Sequence, residues 1–374
     1  MKFRIFLIFA FLLFFMFSTV KVDAMTQNVY VNSNGVEMTR EQINNLYNLG
    51  FTQLNIDRMS QVEFDNNTNL VGNIESIDTK YVKTTYIYSN LDAAIVSNKV
   101  KTLLPLHQYN SETLKQIISK NSIKPIMTIN EEITEEEFNN VNEAEKNIYV
   151  TNDTNPDIHE TTYKKITTTI SYISSNNQYR LKNDLLWKQI PSNRSNELYG
   201  IAINNSVAEP VSGSHFAKTY YSMKETCNNT TSSYETSHNS VSNWKRGATG
   251  YAVSFQLPSN RTDSVYWAIG QEYPCYWPEY SPFPPNSGGP INYDINVNSL
   301  SSTMYFNVAK NGSGPLSAYG SYQHSVTTIS VSSALTLSIS TTGELGGVFS
   351  GTLSIIEKFD GMAGTHAQIL NPTW

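Results

Sequence analysis

The chain has 374 residues, of which 39% are hydrophobic, and its 26 basic and 32 acidic residues give a formal net charge of −6. A mildly acidic surface argues against nucleic acid as a partner and against anionic lipid held by charge alone. A chain of this length is large enough to bury a substantial core.

The first feature in chain order is a segment typical of a secretory signal peptide. Lys2 and Arg4 precede an unbroken apolar run, and Val22–Ala24 offers small residues at the two positions that a signal peptidase reads. The apolar run is short for a membrane span, which needs about 20 residues. We expect cleavage that leaves a protein beginning at about Met25, in a secreted or cell-surface location. The alternative is that residues 1–24 remain as an N-terminal membrane anchor.

Short helices are predicted after the signal segment. Thr39 followed by Gln42 has the spacing of a capping box, and Gly50 stands where a helix would stop. Ser60 followed by Glu63 repeats the capping pattern. These signals predict a small helical module near the N-terminus.

From Ile166 onward the sequence has the pattern of β structure. Short alternating or β-branched runs, such as Tyr179–Trp187 and Leu198–Ile203, are separated by clusters of Gly, Pro, Asn and Ser. Many short strands without an intervening helical pattern indicate an antiparallel sandwich. The expected aromatic core residues are Trp187, Trp267 and Phe255.

The predicted fold class is α+β, with a small N-terminal helical part followed by a large antiparallel β-sandwich, jelly-roll-like or similar. The predicted parts are a signal peptide at residues 1–24, a small helical module at 25–79, a mixed connecting region at 80–160 and the β-sandwich domain at 161–374.

The chain contains two cysteines, Cys227 and Cys275. In an oxidising compartment an even pair is most simply a disulfide. Closing a loop of this length would stabilise the fold by about 4 kcal/mol in the chain-entropy description. Two free thiols are the alternative.

Three sequence strings resemble a family of exported proteins from Gram-positive bacteria. They are GVEMTREQINNLYNLGF (Gly35–Phe51), LWKQIPSNRS (Leu186–Ser195) and SAYGSYQHSV (Ser317–Val326). The resemblance implies export and a bacterial origin. The family has no assigned activity, so the resemblance implies no site residues.

Motifs that carry catalysis are incomplete in this chain. His159-Glu160 begins like a zinc-protease helix, but Tyr163 stands where the second histidine belongs. Ser242 and Lys245 have serine–lysine spacing without the companion motifs of that enzyme class. The six histidines do not pair at metal-ligand spacing. The glutamates between residues 131 and 137 lack the ligand pattern of a calcium loop and favour a solvated helix start. We therefore expect no catalytic residue, no metal ligand and no cofactor.

An aromatic segment between Gly270 and Ser299 is a candidate binding site. Its prolines predict a stiff insertion between strands, and rigid aromatic faces suit sugar rings or a protein partner. The alternative is that the rings cover an open end of the sandwich. The candidate ligand-binding residues are Tyr273, Tyr276, Trp277, Tyr280, Phe283 and Tyr293.

A second segment, His324–Ile356, alternates Ser and Thr with apolar residues, as in Leu335–Ile339. A membrane-spanning strand needs about 9–11 residues with one apolar face, so this pattern fits a hairpin that inserts into a bilayer. It also fits an ordinary half-buried hairpin.

Three functions follow from these patterns. The leading hypothesis is a non-catalytic extracellular or surface-associated protein that binds a glycan, the cell wall or a protein. The second is a secreted hydrolase of cell-wall or host polymer. The third is a pore former that acts through a β-hairpin, so that membrane contact arises only from an uncleaved signal or from hairpin insertion.

Overall fold

The computed structural model describes the chain in ranges that omit the predicted signal peptide. These ranges are residues 29–88, 114–115, 118, 123–141, 148–150, 157–192, 194, 196–227, 230–238, 243–247, 249–256, 261–267, 289–325, 335–339, 347–351, 359–360 and 364–374. The described part is mostly β, with antiparallel sheets and four short helices. The chain divides into two compact units, Met1–Val71 and Gly72–Trp374.

The described part of the first unit contains one two-stranded ladder and three helices. In chain order these are β1 (Tyr30–Val31), β2 (Glu37–Met38), α1 (Arg40–Asn48), α2 (Gln53–Asp57) and α3 (Gln61–Asn67). The predicted capping box is confirmed, because Thr39 Oγ1 accepts from the Gln42 amide while Gln42 Oε1 accepts from the Thr39 amide. Gly50 has a φ of 86°, as a helix stop requires.

The second unit holds the remaining elements. In chain order they are β3 (Gly72–Tyr88), β4 (Met127–Ile133), α4 (Glu135–Asn140), β5 (Ile148–Val150), β6 (Ile158–Ile173), β7 (Gln178–Gln189), β8 (Asn196–Ile203), β9 (Ala208–Pro210), β10 (Phe216–Cys227), β11 (Thr230–His238), β12 (Asn243–Gly247), β13 (Gly250–Gln256), β14 (Arg261–Trp267), β15 (Gly289–Lys310), β16 (Leu316–Ser325), β17 (Leu335–Ile339), β18 (Gly347–Gly351), β19 (Phe359–Asp360) and β20 (Thr365–Ile369).

These strands form two large antiparallel sheets and one small one. The ten-stranded sheet has the order β11-β10-β15-β7-β6-β3-β4, with β9 and β14 paired to β15 and β5 paired to β6. The six-stranded sheet has the order β12-β13-β8-β16-β19, with β20 also paired to β16. Strands β17 and β18 pair with each other as a separate two-stranded sheet.

One hydrophobic cluster contains side chains from both large sheets. The ten-stranded sheet contributes Ile166, Leu181 and Phe306, while the six-stranded sheet contributes Ile201 and Tyr251. The predicted core residues Trp187 and Phe255 belong to it and are 1% and 2% exposed. Only the backbone of Trp267 is described, so its core position stays a prediction.

In the second unit the first strand is β3, which begins well before Ile166, where the sequence pattern predicted the start of β structure. Ile74 and Ile77 on β3 are 41% and 54% exposed, so this half of the strand carries no buried apolar alternation. This half of β3 is held in the sheet by its long backbone ladder to β6. Such pairing is set by the partner strand and leaves no local signal in the sequence.

The expected insertion at Gly270–Ser299 is shorter than predicted. Gly289–Ser299 belongs to β15, and Tyr293 pairs with both Cys227 and Asp263. Pro290 is the second residue of this strand, where a missing amide donor is tolerated. Tyr293 is therefore a strand residue and not a loop residue.

A buried polar network joins the two large sheets around Gly320 on β16. Thr168 Oγ1 and Thr365 Oγ1 lie 2.5 Å apart, and Asn183 Nδ2 donates to the Gly200 carbonyl at 3.4 Å. A Cβ at residue 320 would overlap Thr168 Oγ1 and lie 2.8 Å from Asn183 Nδ2. Glycine is required here because the network occupies the volume of a side chain.

We predict that Gly320→Ala lowers the free energy of unfolding by about 1–3 kcal/mol, since overpacking displaces buried side chains. Urea denaturation, followed through the unfolding transition of the second unit, measures this loss of free energy. Ser212→Ala, in an exposed turn, is the control and should stay within about 0.5 kcal/mol of the parent protein. An unchanged urea midpoint for Gly320→Ala would contradict the prediction, because the polar side chains around residue 320 would then move aside without loss of stability.

Candidate functional site: the hairpin segment and its base

Most of the residues that the sequence suggested as a ligand site lie outside the described part of the chain. This holds for Tyr273, Cys275, Tyr276, Trp277, Tyr280 and Phe283. Cys227 ends β10 and is described by its backbone alone, so the disulfide stays a prediction. Trp267 pairs with Gly289, so the aromatic segment 268–288 joins two neighbouring strand ends.

The second candidate segment from the sequence does have described strands. Leu335–Ile339 is strand β17, as predicted, and it pairs with β18 so that Leu337 lies opposite Phe349 and Ser338 opposite Val348. The sequence of β17 alternates Leu and Ile with Thr and Ser, which is the pattern of a strand with one apolar and one polar face.

Residues 326–358, called the hairpin segment below, are inserted between two residues that pair with each other. Ser325 is the last residue of β16 and pairs with Phe359, the first residue of β19. The next pair is His324 with Asp360. The hairpin segment therefore leaves and rejoins the six-stranded sheet at one point, which we call its base. Removing the segment from its position breaks no ladder between described strands of the large sheets.

The hairpin lies across the outer face of the six-stranded sheet. Cα atoms of β17 lie within 8 Å of Cα atoms of β8, β12 and β13, and those of β18 within 8 Å of β8 and β16. Strands that cross several neighbours in this way lie on a face and not at an edge. The inner face carries the shared hydrophobic cluster, so the hairpin covers the opposite face.

The covered face, called the seat below, is buried and made mostly of small residues. Stacked sheets usually lie about 10 Å apart, so a Cα approach within 8 Å requires that side chains between them be short. The register places the members of the seat side by side on three neighbouring strands. They are Leu198, Gly200, Ala202, Ala252 and Ser321.

A group of buried polar and aromatic residues lies beneath the base, on the inner face of the sheet. Glu197 on β8 pairs in register with His324 on β16, and both side chains are 0% exposed. We call this group the Glu197 cluster, and its members are Tyr86, Lys164, Trp187, Glu197, Tyr322 and His324.

Hydrogen bonds connect four members of the Glu197 cluster into one chain. His324 Nδ1 lies 2.6 Å from Glu197 Oε1, and the Tyr322 hydroxyl donates to Glu197 Oε2. Trp187 Nε1 donates to the Tyr322 hydroxyl at 3.2 Å. Each donor polarises the next, which strengthens a buried chain of this kind.

The charges of the cluster come from both large sheets. Lys164 Nζ, on β6, lies 4.9 Å from the centroid of the Trp187 ring and 5.4 Å from that of Tyr322. The Tyr86 and His324 rings lie 5.7 Å apart in an edge arrangement. Lys164, Glu197 and His324 are all fully buried. Removing one partner of a buried charged group is costly, because the other is left without compensation.

A second buried carboxylate lies on the ten-stranded sheet. Glu160 Oε1 accepts from the Ser192 amide at 2.8 Å and from the Ser192 hydroxyl at 2.6 Å, and Glu160 Oε2 accepts from the Tyr88 hydroxyl at 3.0 Å. Burial, and then the charge of Glu160, raise the pKa of Tyr88. Burial followed by the charge of Asp184 raises the pKa of Tyr199 in the same way. Both tyrosines therefore stay neutral donors at ordinary pH.

The remaining sequence motifs serve the fold wherever they are described. The helix start predicted for the acidic run is confirmed for its second half, because α4 begins at Glu135 and Thr134 forms a capping box with Glu137. Glu131 and Glu132 instead lie on β4, where they form ion pairs with Lys83 and Lys80. His159 stacks on Tyr149, with ring centroids 5.1 Å apart. Among the described residues, no group of His, Cys, Asp or Glu is placed to hold a metal ion. In the same ranges, no helix has both the length and the hydropathy to cross a membrane.

Sequence reasoning missed the Glu197 cluster because its members come from five strands. The local signal is the alternation of Tyr322 and His324, which places both on the inner face of β16. Glu197 stands eleven residues after Leu186, at the start of an apolar strand, and reads as a solvated strand end. Only the register between β8 and β16 brings the carboxylate to the imidazole.

Comparisons with known proteins give no identity. No family model matches the chain, and no curated protein matches it. The site must therefore be interpreted from its own geometry.

We predict that Ala252→Leu loosens the hairpin, because a larger side chain on the seat displaces strands that pass within 8 Å. Hydrogen exchange measured by mass spectrometry on peptides covering residues 335–351 should become faster. Val253→Leu, the neighbouring residue on the core face, is the matched control. Equal exchange rates in the two variants would contradict the assignment of the seat.

Proposed function

We propose that the protein is an exported, membrane-acting pore former that inserts the hairpin segment into a lipid bilayer. The observation that carries the proposal is the placement of β17 and β18 as a separate sheet, inserted between the paired residues Ser325 and Phe359. A segment joined at one point can leave its seat while the large sheets remain paired.

The composition of the hairpin segment supports the proposal. From Val326 to Ile356 the sequence holds a single charged residue, Glu344, between the paired ends Ile339 and Gly347. A strand that faces lipid tolerates few charges, because a charge at the bilayer centre is costly. The lengths on either side of Glu344 exceed the about 9–11 residues that a spanning strand needs.

The physics of the bilayer adds a requirement for several copies of the chain. Every backbone amide and carbonyl in the hydrocarbon region must find a partner, and a lone hairpin leaves two edges unpaired. Hairpins from several copies would pair edge to edge and satisfy these groups. The proposal therefore includes assembly on the membrane after export.

We also propose that the fold is a β-sandwich preceded by a small helical module. The cluster shared by the two large sheets supports a β-sandwich, and the helices of the first unit support a small helical module before it. Secretion through residues 1–24 supplies the route to an external membrane. In this proposal the six-stranded sheet holds the hairpin segment until the segment inserts into the membrane.

A binding role through the aromatic segment is a second candidate. Residues 268–288 join two neighbouring strand ends, Trp267 and Gly289, and contain five of the six candidate ligand-binding residues. This placement favours presentation of the segment at one end of a hairpin. Binding of a glycan, of the cell wall or of a surface protein there would bring the pore former to its target. The hydrolase hypothesis stays a prediction.

We predict that the purified protein releases dye from liposomes and that Leu337→Lys abolishes the release. A lysine on the lipid-facing side of a spanning strand costs about 2–4 kcal/mol near the bilayer centre, for every copy in the assembly. Ser338→Lys is the matched control, since the neighbouring residue carries the same new charge on the opposite face.

Circular dichroism and thermal unfolding are used to check that both variants fold. Dye release that survives Leu337→Lys but stops with Ser338→Lys would reverse the assignment of the faces. If the parent protein releases no dye from any lipid composition, the proposed function is wrong.

A further inference from the structure

The hairpin and its base are out of register with each other. In the hairpin Leu335 pairs with Gly351, and in that register Ser325 would lie opposite residue 361. In the structure Ser325 pairs with Phe359. An unbroken ladder from hairpin to base therefore cannot form while the base pairing holds. A shift of two residues keeps every side chain on its face, so the two registers are alternatives for the same amphipathic pattern.

The Glu197 cluster lies where that shift would begin. His324 belongs to the base pair next to Ser325, and its ring is held by Glu197 from β8 and packed against Tyr86 from β3. Tyr322, two residues earlier on the same face, holds the other oxygen of Glu197. The last residues of β16 are therefore bound to both large sheets through side chains as well as through the ladder.

We propose that the Glu197 cluster is a latch that keeps the base of the hairpin in its stored register, and that its opening controls the release of the hairpin segment. This inference rests on the proposed function and names the control of the same segment. The longer ladder requires the Glu197–His324 contact to break, because the end of β16 must move by two residues relative to β19.

The latch is a local contact. Glu197 and His324 are both fully buried and lie 2.6 Å apart, so each loses a buried partner when their contact breaks. Ile166 and Ile201 pack in the core through apolar side chains, which need no polar partner. The cluster can therefore open without unfolding the sheets, as a local event of lower free energy.

The test is Glu197→Gln, which keeps the shape of the side chain and removes its charge. Hydrogen exchange of peptides covering residues 335–351, measured without membranes, should become at least about tenfold faster, because a buried partner of His324 is weakened. Dye release from liposomes should become faster in the same variant. Tyr322→Phe removes the hydrogen bond to Glu197 and the one from Trp187 but keeps the carboxylate, so it should show the same effects more weakly. It replaces Glu197→Gln if that variant does not fold.

Glu160→Gln is the matched control. Glu160 is also a fully buried carboxylate, but its hydrogen-bond donors, Ser192 and Tyr88, lie outside the Glu197 cluster. It should lower global stability without selective exchange at residues 335–351. Equal exchange in Glu160→Gln and Glu197→Gln would overturn the latch, because the effect would then be general destabilisation.

The two proposals fail in different ways. Selective exchange in Glu197→Gln without dye release by any form of the protein would support the latch and remove the pore function. Dye release by the parent protein that Glu197→Gln does not accelerate would support the pore function and remove the latch.

Discussion

Strand β8, in the middle of the six-stranded sheet, is buried on both of its faces, and this constraint governs the rest of the second unit. Its inner face packs large side chains against the ten-stranded sheet, and its outer face lies beneath the hairpin. Alternate residues of β8 show the consequence. Tyr199 and Ile201 fill the core on one face, while Gly200 and Ala202 leave room for the hairpin on the other. The small residues are required by the close approach of a third layer.

The core between the large sheets is chemically uneven. Along the inner face of β6, Ile166 and Ile170 are apolar, while Glu160, Thr162 and Lys164 are polar and equally buried. Apolar packing is non-directional and holds the sheets together without a unique geometry. Buried polar groups bond only in defined directions, so they specify the position of what they touch. Lys164 belongs to the Glu197 cluster at the base of the hairpin, where a defined position is needed.

The sequence predicted the features that depend on neighbours along the chain. The capping box at Thr39, the strand Leu335–Ile339 and the core positions of Trp187 and Phe255 follow from local pattern. The first half of β3 did not, because its exposed isoleucines are held by a long ladder that no local pattern records. The Glu197 cluster could not be predicted for the same reason. A carboxylate on β8 meets an imidazole on β16 only through a register set by the fold.

One charge within the hairpin segment gives the proposed insertion a direction. Between Val326 and Ile356 the one charged residue is Glu344, in the stretch of sequence that connects Ile339 to Gly347. A carboxylate that crosses the hydrocarbon region pays a solvation penalty, which resists entry by a lone hairpin. Once it reaches water on the far side, the same penalty resists return. In the proposed function, this one carboxylate would hinder entry before insertion and hinder return afterwards, while the proposed latch at the base would control when the segment leaves.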